Sequence, residues 1–291
     1  MAKEAIKPVG HKLEYIKDTF FEYLGKKDHV SASALKSFMK SPRMYYYEQF
    51  EKEREEKRHF AVGSALHEAV LEPELFKTNF IVSPKFDRRT KQGKLDASNF
   101  DIDAERLGKT VIVVDEMEMI IKIAENAMKN ETLTELIKNS HRELSCYTED
   151  PTTGLKLKMR PDSMHETKSI IVDIKTCLDS SPTKFKKDVY NYGYSISAAF
   201  YADFLNRETY LFAACEKQAP YQISIYALSD ESMQYGREQY RAGLDMLKWC
   251  KDNDFYPDYA QFEVMKNSYA LGNLDNFKDT LSKSELITIL N

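Results

Sequence analysis

Cysteine is sparse in this 291-residue chain, and the four present (Cys146, Cys177, Cys215 and Cys250) are more than thirty residues apart. No C-x-x-C pair exists, which excludes a zinc knuckle and a local iron–sulfur signature. The expectation is four reduced thiols in a cytoplasmic protein. Glycine (10) and proline (9) are also few, so the chain is neither fibrous nor of low complexity. No apolar run approaches the ~20 residues of a membrane helix. The opening stretch MAKEAIKPVGHKLEYIKD lacks the apolar region of a secretion signal. Nor is positive charge in excess. Lysine and arginine number 42 against 46 acidic residues, a net charge of −4. That balance argues against a non-specific DNA coat and requires any contact with a polyanion to be focused.

What is present suffices for a core. The chain is 42% hydrophobic, with 18 tyrosines and 16 phenylalanines, and its length allows one large domain or two small ones. Ser31 or Ser33 can cap a helix with Leu35, Phe38 and Met39 on one face and Pro42 beyond its end. RMYYYEQFEKEREEKR reads as a second helix, with EKEREEKRH a solvated face. AVGSALHEAVLEPELF reads as an amphipathic helix with Leu66, Val70 and Leu71 inward. TNFIVS and TVIVV read as short strands, the segment 84–94 as a loop, and DEMEMIIKIAENAMKN and LTELIKNS as helices.

From Glu143 the period shifts from helical to alternating. ELSCYTED, LKLKMRPD and SIIVDIKT predict an antiparallel meander, with residues 163–168 as its last connection. In the middle strand Leu155, Leu157 and Met159 share one face. Ser181-Pro182 opens a helix, YGYSISAAFYADFLN continues helical, TYLFAACE and YQISIYALS are strands, and a long helix begins at Asp230. The fold class is therefore α/β or α+β: one central mixed sheet, including the antiparallel meander, flanked by helices.

Asp162 ends the middle strand, and Asp173 and Lys175 project from one face of the next. Antiparallel pairing can bring Asp162 to ~5 Å of them. Two carboxylates that close demand a proton or a cation between them. Mg²⁺ suits such oxygen donors, and Mn²⁺ can substitute. A neighbouring lysine could orient or deprotonate a water and offset phosphate charge, which is what metal-assisted phosphodiester hydrolysis needs. Set against this, (Asp/Glu)-x-Lys recurs at Glu55–Lys57 and Glu166–Lys168, so the triplet alone also fits a solvated strand face.

Pro161-Asp162 followed by Asp173-Ile174-Lys175 resembles the PD-(D/E)xK nuclease superfamily. GSALHEAVLEPELF, FDRRTKQGK, TGLKLKMRPDSM, IIVDIKT, YGYSISAAFYADF and CEKQAPYQISIYALSDE, in that order, resemble the catalytic domain of the exonuclease VIII (RecE-type) family over roughly residues 28–250. The resemblance implies a Mg²⁺-dependent exonuclease acting 5′ to 3′ on double-stranded DNA ends. It implies 3′ overhangs handed to a single-strand annealing protein in phage recombination, and a ring-shaped homo-oligomer. It implies His67, Asp162 and Asp173 as metal ligands, the Ile174 carbonyl as a further ligand, and Lys175 as the catalytic lysine. The family's Gln-x-x-x-Tyr falls on Ser197 and Tyr201, where serine is shorter than glutamine.

Other residues carry two readings. His67 is a metal ligand or a half-buried histidine bonded to the chain. Glu143 is a further acid at the metal or an edge charge, and Glu216 has the same pair of readings. Tyr190, Tyr192 and Tyr194 are wall residues or base-stacking platforms. Arg88, Arg89, Lys91 and Lys94 form a phosphate clamp or an ordinary surface loop. Arg160 and Lys184, with Lys186 and Lys187, complete the candidate DNA contacts. The division expected is an N-terminal extension (1–27), an exonuclease domain (28–255) and a tail (256–291). The rival functions are another repair or CRISPR-associated nuclease of the superfamily, and a non-catalytic DNA-end-binding module.

Overall fold

The computed structural model describes residues 12–52 and 58–278. Its strands, in chain order, are β1 (Glu14–Ile16), β2 (Phe80–Ser83), β3 (Thr110–Val113), β4 (Ser140–Arg142), β5 (Ser145–Glu149), β6 (Lys156–Met159), β7 (Ser163–His165), β8 (Ile170–Cys177), β9 (Thr209–Glu216) and β10 (Ile223–Ala227). Five of them form the central sheet in the order β10-β9-β8-β7-β4. Only β8 and β9 run parallel in it, and the other pairs are antiparallel. A parallel pair needs a crossover, which the helices Pro182–Asn191 and Tyr194–Phe204 supply. The sheet is thus mixed, as the sequence predicts.

Strand β8 is buried on both faces, and its alternation feeds two cores. Ile171 and Cys177 face one that contains Leu35, Phe38, Phe200, Phe212 and Leu244. Val172 and Ile174 face the other, with Leu66, Leu71, Ile112, Ile120 and Ile123. The helix Ala32–Lys40 builds the first core and the helix Arg58–Leu71 the second. The two sets of side chains expected to point inward from these helices are buried, apart from half-buried Met39.

The meander is the principal correction. β5 and β6 pair antiparallel, but in a separate sheet of order β1-β5-β6. The chain breaks at Arg160–Asp162, where Pro161 can donate no ladder hydrogen bond. It resumes as β7, which is the strand that pairs with β8. Residues 163–165, expected as a connection, are therefore strand. Lys158, on the face opposite Leu157 and Met159, is also buried, with its ammonium donating to the carbonyls of Tyr23 (2.9 Å) and Lys26 (2.8 Å).

Smaller differences follow from local chemistry. Ser31, rather than Ser33, caps its helix, and Ser41 caps a following helix at Pro42–Tyr46. The segment 84–94 is only partly loop, because Thr90 accepts from Gly93 N–H and starts a helix at Lys91–Arg106. Residues 53–57 of the expected charged helix lie outside the described residues. The stretch before residue 28 contributes β1, and the stretch after 255 contributes the helix Tyr259–Ala270, whose Phe262 and Met265 enter the first core.

The helices Tyr194–Phe204 and Asp230–Asp252 meet closely at Gly236. A β-carbon there would lie 2.2 Å from the carbonyl oxygen of Ser195 and 2.9 Å from Cβ of Ala199. One extra methyl must separate the helices. Gly236→Ala is expected to destabilise the protein by about 1–3 kcal/mol, which lowers its melting temperature by several degrees. Calorimetry checks this, and an unchanged transition would show that the helices do not need this approach.

Candidate active site

Strand β7 pairs with β8 at Ser163↔Val172 and Met164↔Ile171. Continued by two residues, that register sets Pro161 opposite Ile174. Proline has no N–H to give the Ile174 carbonyl, and the chain leaves for β6. The carboxylate of Asp162 replaces the missing strand on one side: its Oδ2 accepts from Ile174 N–H at 2.6 Å. The Ile174 carbonyl faces His67 Nε2 at 3.2 Å.

The other His67 nitrogen completes a cluster. Nδ1 lies 3.4 Å from Glu143 Oε1 and 3.5 Å from Asp162 Oδ1. Burial opposes protonation of His67, but the carboxylates of Asp162 and Glu143 outweigh it and hold its pKa up at about 9. Glu143 reaches the cluster from a left-handed backbone position (φ 49°) just after β4, where its N–H donates to the Asp162 carbonyl at 3.2 Å. At the far end of His67's helix, the Arg142 guanidinium donates to the Leu71 carbonyl and ties that helix to β4.

Asp173 and Lys175 project from β8 toward the first core. Lys175 Nζ pairs with Asp173 Oδ2 at 2.5 Å and lies 5.5 Å over the ring of Tyr194. Burial works against the charge on Lys175, yet Asp173 and Asp162 overcome it and raise its pKa above the ordinary lysine value. Asp173 itself is pushed up to about 6, chiefly by burial and with help from Asp162, against the pull of Lys175.

The structure therefore brings His67, Glu143, Asp162, Ile174, Asp173 and Lys175 together. One donor atom each from His67, Glu143 and Asp162 falls within 4.8 Å of the others. A nitrogen and two carboxylates at that spacing fit a hard divalent cation, with the Ile174 carbonyl adjacent. Asp173 is not in that group of three, and its Oδ2 is engaged with Lys175.

Other candidates are placed differently. Arg160 was expected on DNA, but its guanidinium turns inward. Nε donates to Glu143 Oε2 at 2.9 Å, and Nη1 donates to the Asp18 carbonyl and Ser145 Oγ at 2.9 and 3.0 Å. Tyr201 accepts from the Arg160 backbone N–H at 3.3 Å. Half-buried Ser197 makes no hydrogen bond to Lys175 among the described residues. Glu216 accepts from Ser180 N–H and Oγ and so belongs to a turn outside the cluster. Arg88, Arg89, Lys91, Lys94 and Lys184 are all exposed. Two of them already face acids, Arg88 near Asp101 at 3.8 Å and Arg89 near Asp87 at 3.2 Å.

A helix-borne histidine, an aspartate after proline and Asp-x-Lys on the central strand define the class of PD-(D/E)xK nucleases. The chain belongs to the PDDEXK-like domain family of unknown function (DUF3799), whose profile matches residues 31–267. Among solved structures it is similar to a provisionally assigned exonuclease from Eubacterium rectale. Identity is 17% and the TM-score 0.60, over 84% of this chain and 89% of that one. It also aligns with a phage-related exonuclease from Haemophilus somnus 129PT at 13% identity and a TM-score of 0.32, over 78% and 96% of the two chains. The first of these shows a shared fold. No curated protein matches the chain.

A cation that binds the folded cluster and not the unfolded chain must stabilise the fold, by about 2.7 kcal/mol at a hundredfold excess over its Kd. Millimolar Mn²⁺ is expected to raise the melting temperature by several degrees. Asp162→Asn, which keeps an acceptor for Ile174 N–H but loses the charge, is expected to lose that shift. A wild-type transition indifferent to Mn²⁺ and Mg²⁺ would remove the metal site.

Proposed function

We propose that the protein is a Mg²⁺-dependent exodeoxyribonuclease acting on the ends of linear double-stranded DNA. The observation that carries this reading is the convergence of His67, Glu143 and Asp162 beside the charged pair Asp173–Lys175. His67, Glu143 and Asp162 would hold the ion, with the Ile174 carbonyl as a further donor. A bound Mg²⁺, or Mn²⁺ in its place, would supply Lewis acidity and a water of lowered pKa.

The chain's own groups do the rest. Arg160 occupies Glu143 Oε2, which leaves Oε1 directed at His67. Asp173 fixes the Lys175 ammonium at the edge of the cluster. Held charged by Asp173 and Asp162, Lys175 is suited to donate hydrogen bonds to the attacking water or to a non-bridging phosphate oxygen. It is poorly suited to remove a proton. Charge that develops on phosphorus-bound oxygen in the transition state is met by a cation already in place.

The finer terms rest on the sequence resemblance. They are 5′ to 3′ polarity, 3′ overhangs delivered to a single-strand annealing protein, a ring-shaped homo-oligomer and a role in phage recombination. Exposed Arg88, Arg89, Lys91, Lys94 and Lys184 supply the focused positive charge that a chain of net charge −4 needs to hold DNA. Among the described residues no helix is long and apolar enough to cross a membrane.

Linear duplex is expected to be degraded in Mg²⁺, and closed-circular duplex and EDTA-treated reactions to remain intact. Lys175→Ala is expected to lower cleavage about a hundred- to a thousandfold, of the order found when one transition-state donor is removed, while binding of the duplex in Ca²⁺ persists. Equal degradation of circular DNA would refute the exonuclease reading, and near wild-type rates for Lys175→Ala would refute the assigned lysine.

Charge removal at the surface gives a separate check. Each phosphate contact contributes about 0.9 to the slope of log affinity against log salt on duplex DNA. Arg88→Ala/Arg89→Ala is expected to flatten that slope without altering the metal requirement. Identical slopes for both proteins would show that segment 85–94 is ordinary surface.

A further inference from the structure

A second lysine stands at the same site. Lys36, on the helix Ala32–Lys40, donates from Nζ to the Tyr192 carbonyl at 3.1 Å. Its ammonium lies 5.8 Å over the ring of Tyr194, the ring that also carries Lys175 at 5.5 Å. It packs closely over the backbone of Gly193 on the way. The backbone at Gly193 is left-handed (φ +59°), and a β-carbon would come within 3.2 Å of Lys36 Cδ.

The local charge balance is unusual for a half-buried lysine. The charged side chains that act on it are Lys175, which opposes its charge, and Asp173, which favours it. Asp173 is already paired with Lys175. Burial, together with Lys175, lowers the Lys36 pKa to about 8. Two ammonium groups share one aromatic ring and one carboxylate. The ring face attracts both weakly, and the surplus positive charge favours an anion between them. The Tyr192 carbonyl, at the C-terminal end of the helix Pro182–Asn191, takes one of the three ammonium donors of Lys36, and among the described residues no carboxylate pairs with the others.

We infer that Lys36 binds a non-bridging oxygen of the nucleic-acid backbone beside the phosphodiester that Lys175 serves, so that the site grips phosphate with two lysines. This inference rests on the proposed nuclease function and adds a substrate contact to it. Lys36 sets the position of the strand and leaves metal binding and the chemical step to the other residues. Tyr192, 60% exposed and stacked on Tyr194 at 5.5 Å between ring centroids, flanks the same point and can cover a base of the held strand.

The test compares wild type, Lys36→Gln and Lys36→Arg on a fluorescently labelled linear duplex. Lys36→Gln keeps a donor for the Tyr192 carbonyl and removes the charge. With Mn²⁺ as cofactor, its KM is expected to rise about tenfold with kcat changed less than threefold. In Ca²⁺, its salt slope for binding is expected to fall by about 0.9, the value of one phosphate contact. Lys36→Arg is expected to restore both quantities. The melting temperature and its Mn²⁺-induced shift are expected to match wild type in both variants. An unchanged KM and salt slope for Lys36→Gln would overturn the inference, as would a failure of Lys36→Arg to restore them. If Lys36→Gln unfolds, the Lys36→Arg protein alone decides: wild-type KM and slope support the inference, and loss of both overturns it. Wild-type protein that neither cleaves nor binds the duplex would instead overturn the nuclease reading itself.

Discussion

The site exists because β7 parts from β8 at Asp162. An intact ladder would place a backbone N–H and C=O opposite Ile174 and consume both of its polar groups. Proline at 161 cannot donate there, so the ladder ends and the chain turns into another sheet. A buried strand with unmet hydrogen-bonding groups is costly. Asp162 meets one of them with a side-chain oxygen at 2.6 Å. The other, a carbonyl, is left facing His67. A gap in a sheet thus becomes a pair of oxygens, one charged and one neutral, at a fixed distance on a rigid strand. The succession Pro161-Asp162 has a physical reason before any chemistry is considered.

The remaining acids are held by the same break. The Asp162 carbonyl receives the N–H of Glu143, whose left-handed backbone swings its side chain inward. Arg160, one residue before the proline, turns its guanidinium back on Glu143 and also anchors to Asp18 and Ser145. Three consecutive residues therefore hold Glu143, interrupt the ladder and cap the exposed strand in turn. Buried carboxylates repel, and each has a distinct counterweight: Arg160 for Glu143, His67 for Asp162, Lys175 for Asp173. Truncating one member of such a pair strands a buried charge, which is far more destabilising than losing a surface ion pair.

Much of this was legible in sequence, and for identifiable reasons. Short apolar runs along β8 and β9 and alternation along β10 report strands directly, and capping serines and Pro182 report helix starts. The face shared by Asp173 and Lys175 follows from period two alone. What could not be read was pairing between strands. Leu155, Leu157 and Met159 alternate as any meander strand would, and nothing in their pattern says that β6 joins β1 and β5 rather than β8. Pro161 was the available signal for that break. Glu143 could not be distinguished from an edge charge because its inward turn depends on a positive φ that glutamate seldom adopts. Arg160 reads as a solvent-facing cation until Glu143 is placed beside it. Lys36 lies about 140 residues before Lys175 in sequence, so only the packing of the helix Ala32–Lys40 on Gly193 and Tyr194 joins them.

In the proposed function, metal and proton would compete at His67. A histidine held charged by two carboxylates would have to lose its proton before ligating, which would couple ion binding to proton release. The two carboxylates that raise its pKa are the ones that would offer an ion most of its attraction. Strengthening them would tighten the ion and the proton alike. Asp173, with its Oδ2 engaged by Lys175, stands outside that group of three. In the proposed function the cation-binding half of the site would thus fall to the gap in the sheet and the phosphate-binding half to the regular strand beside it.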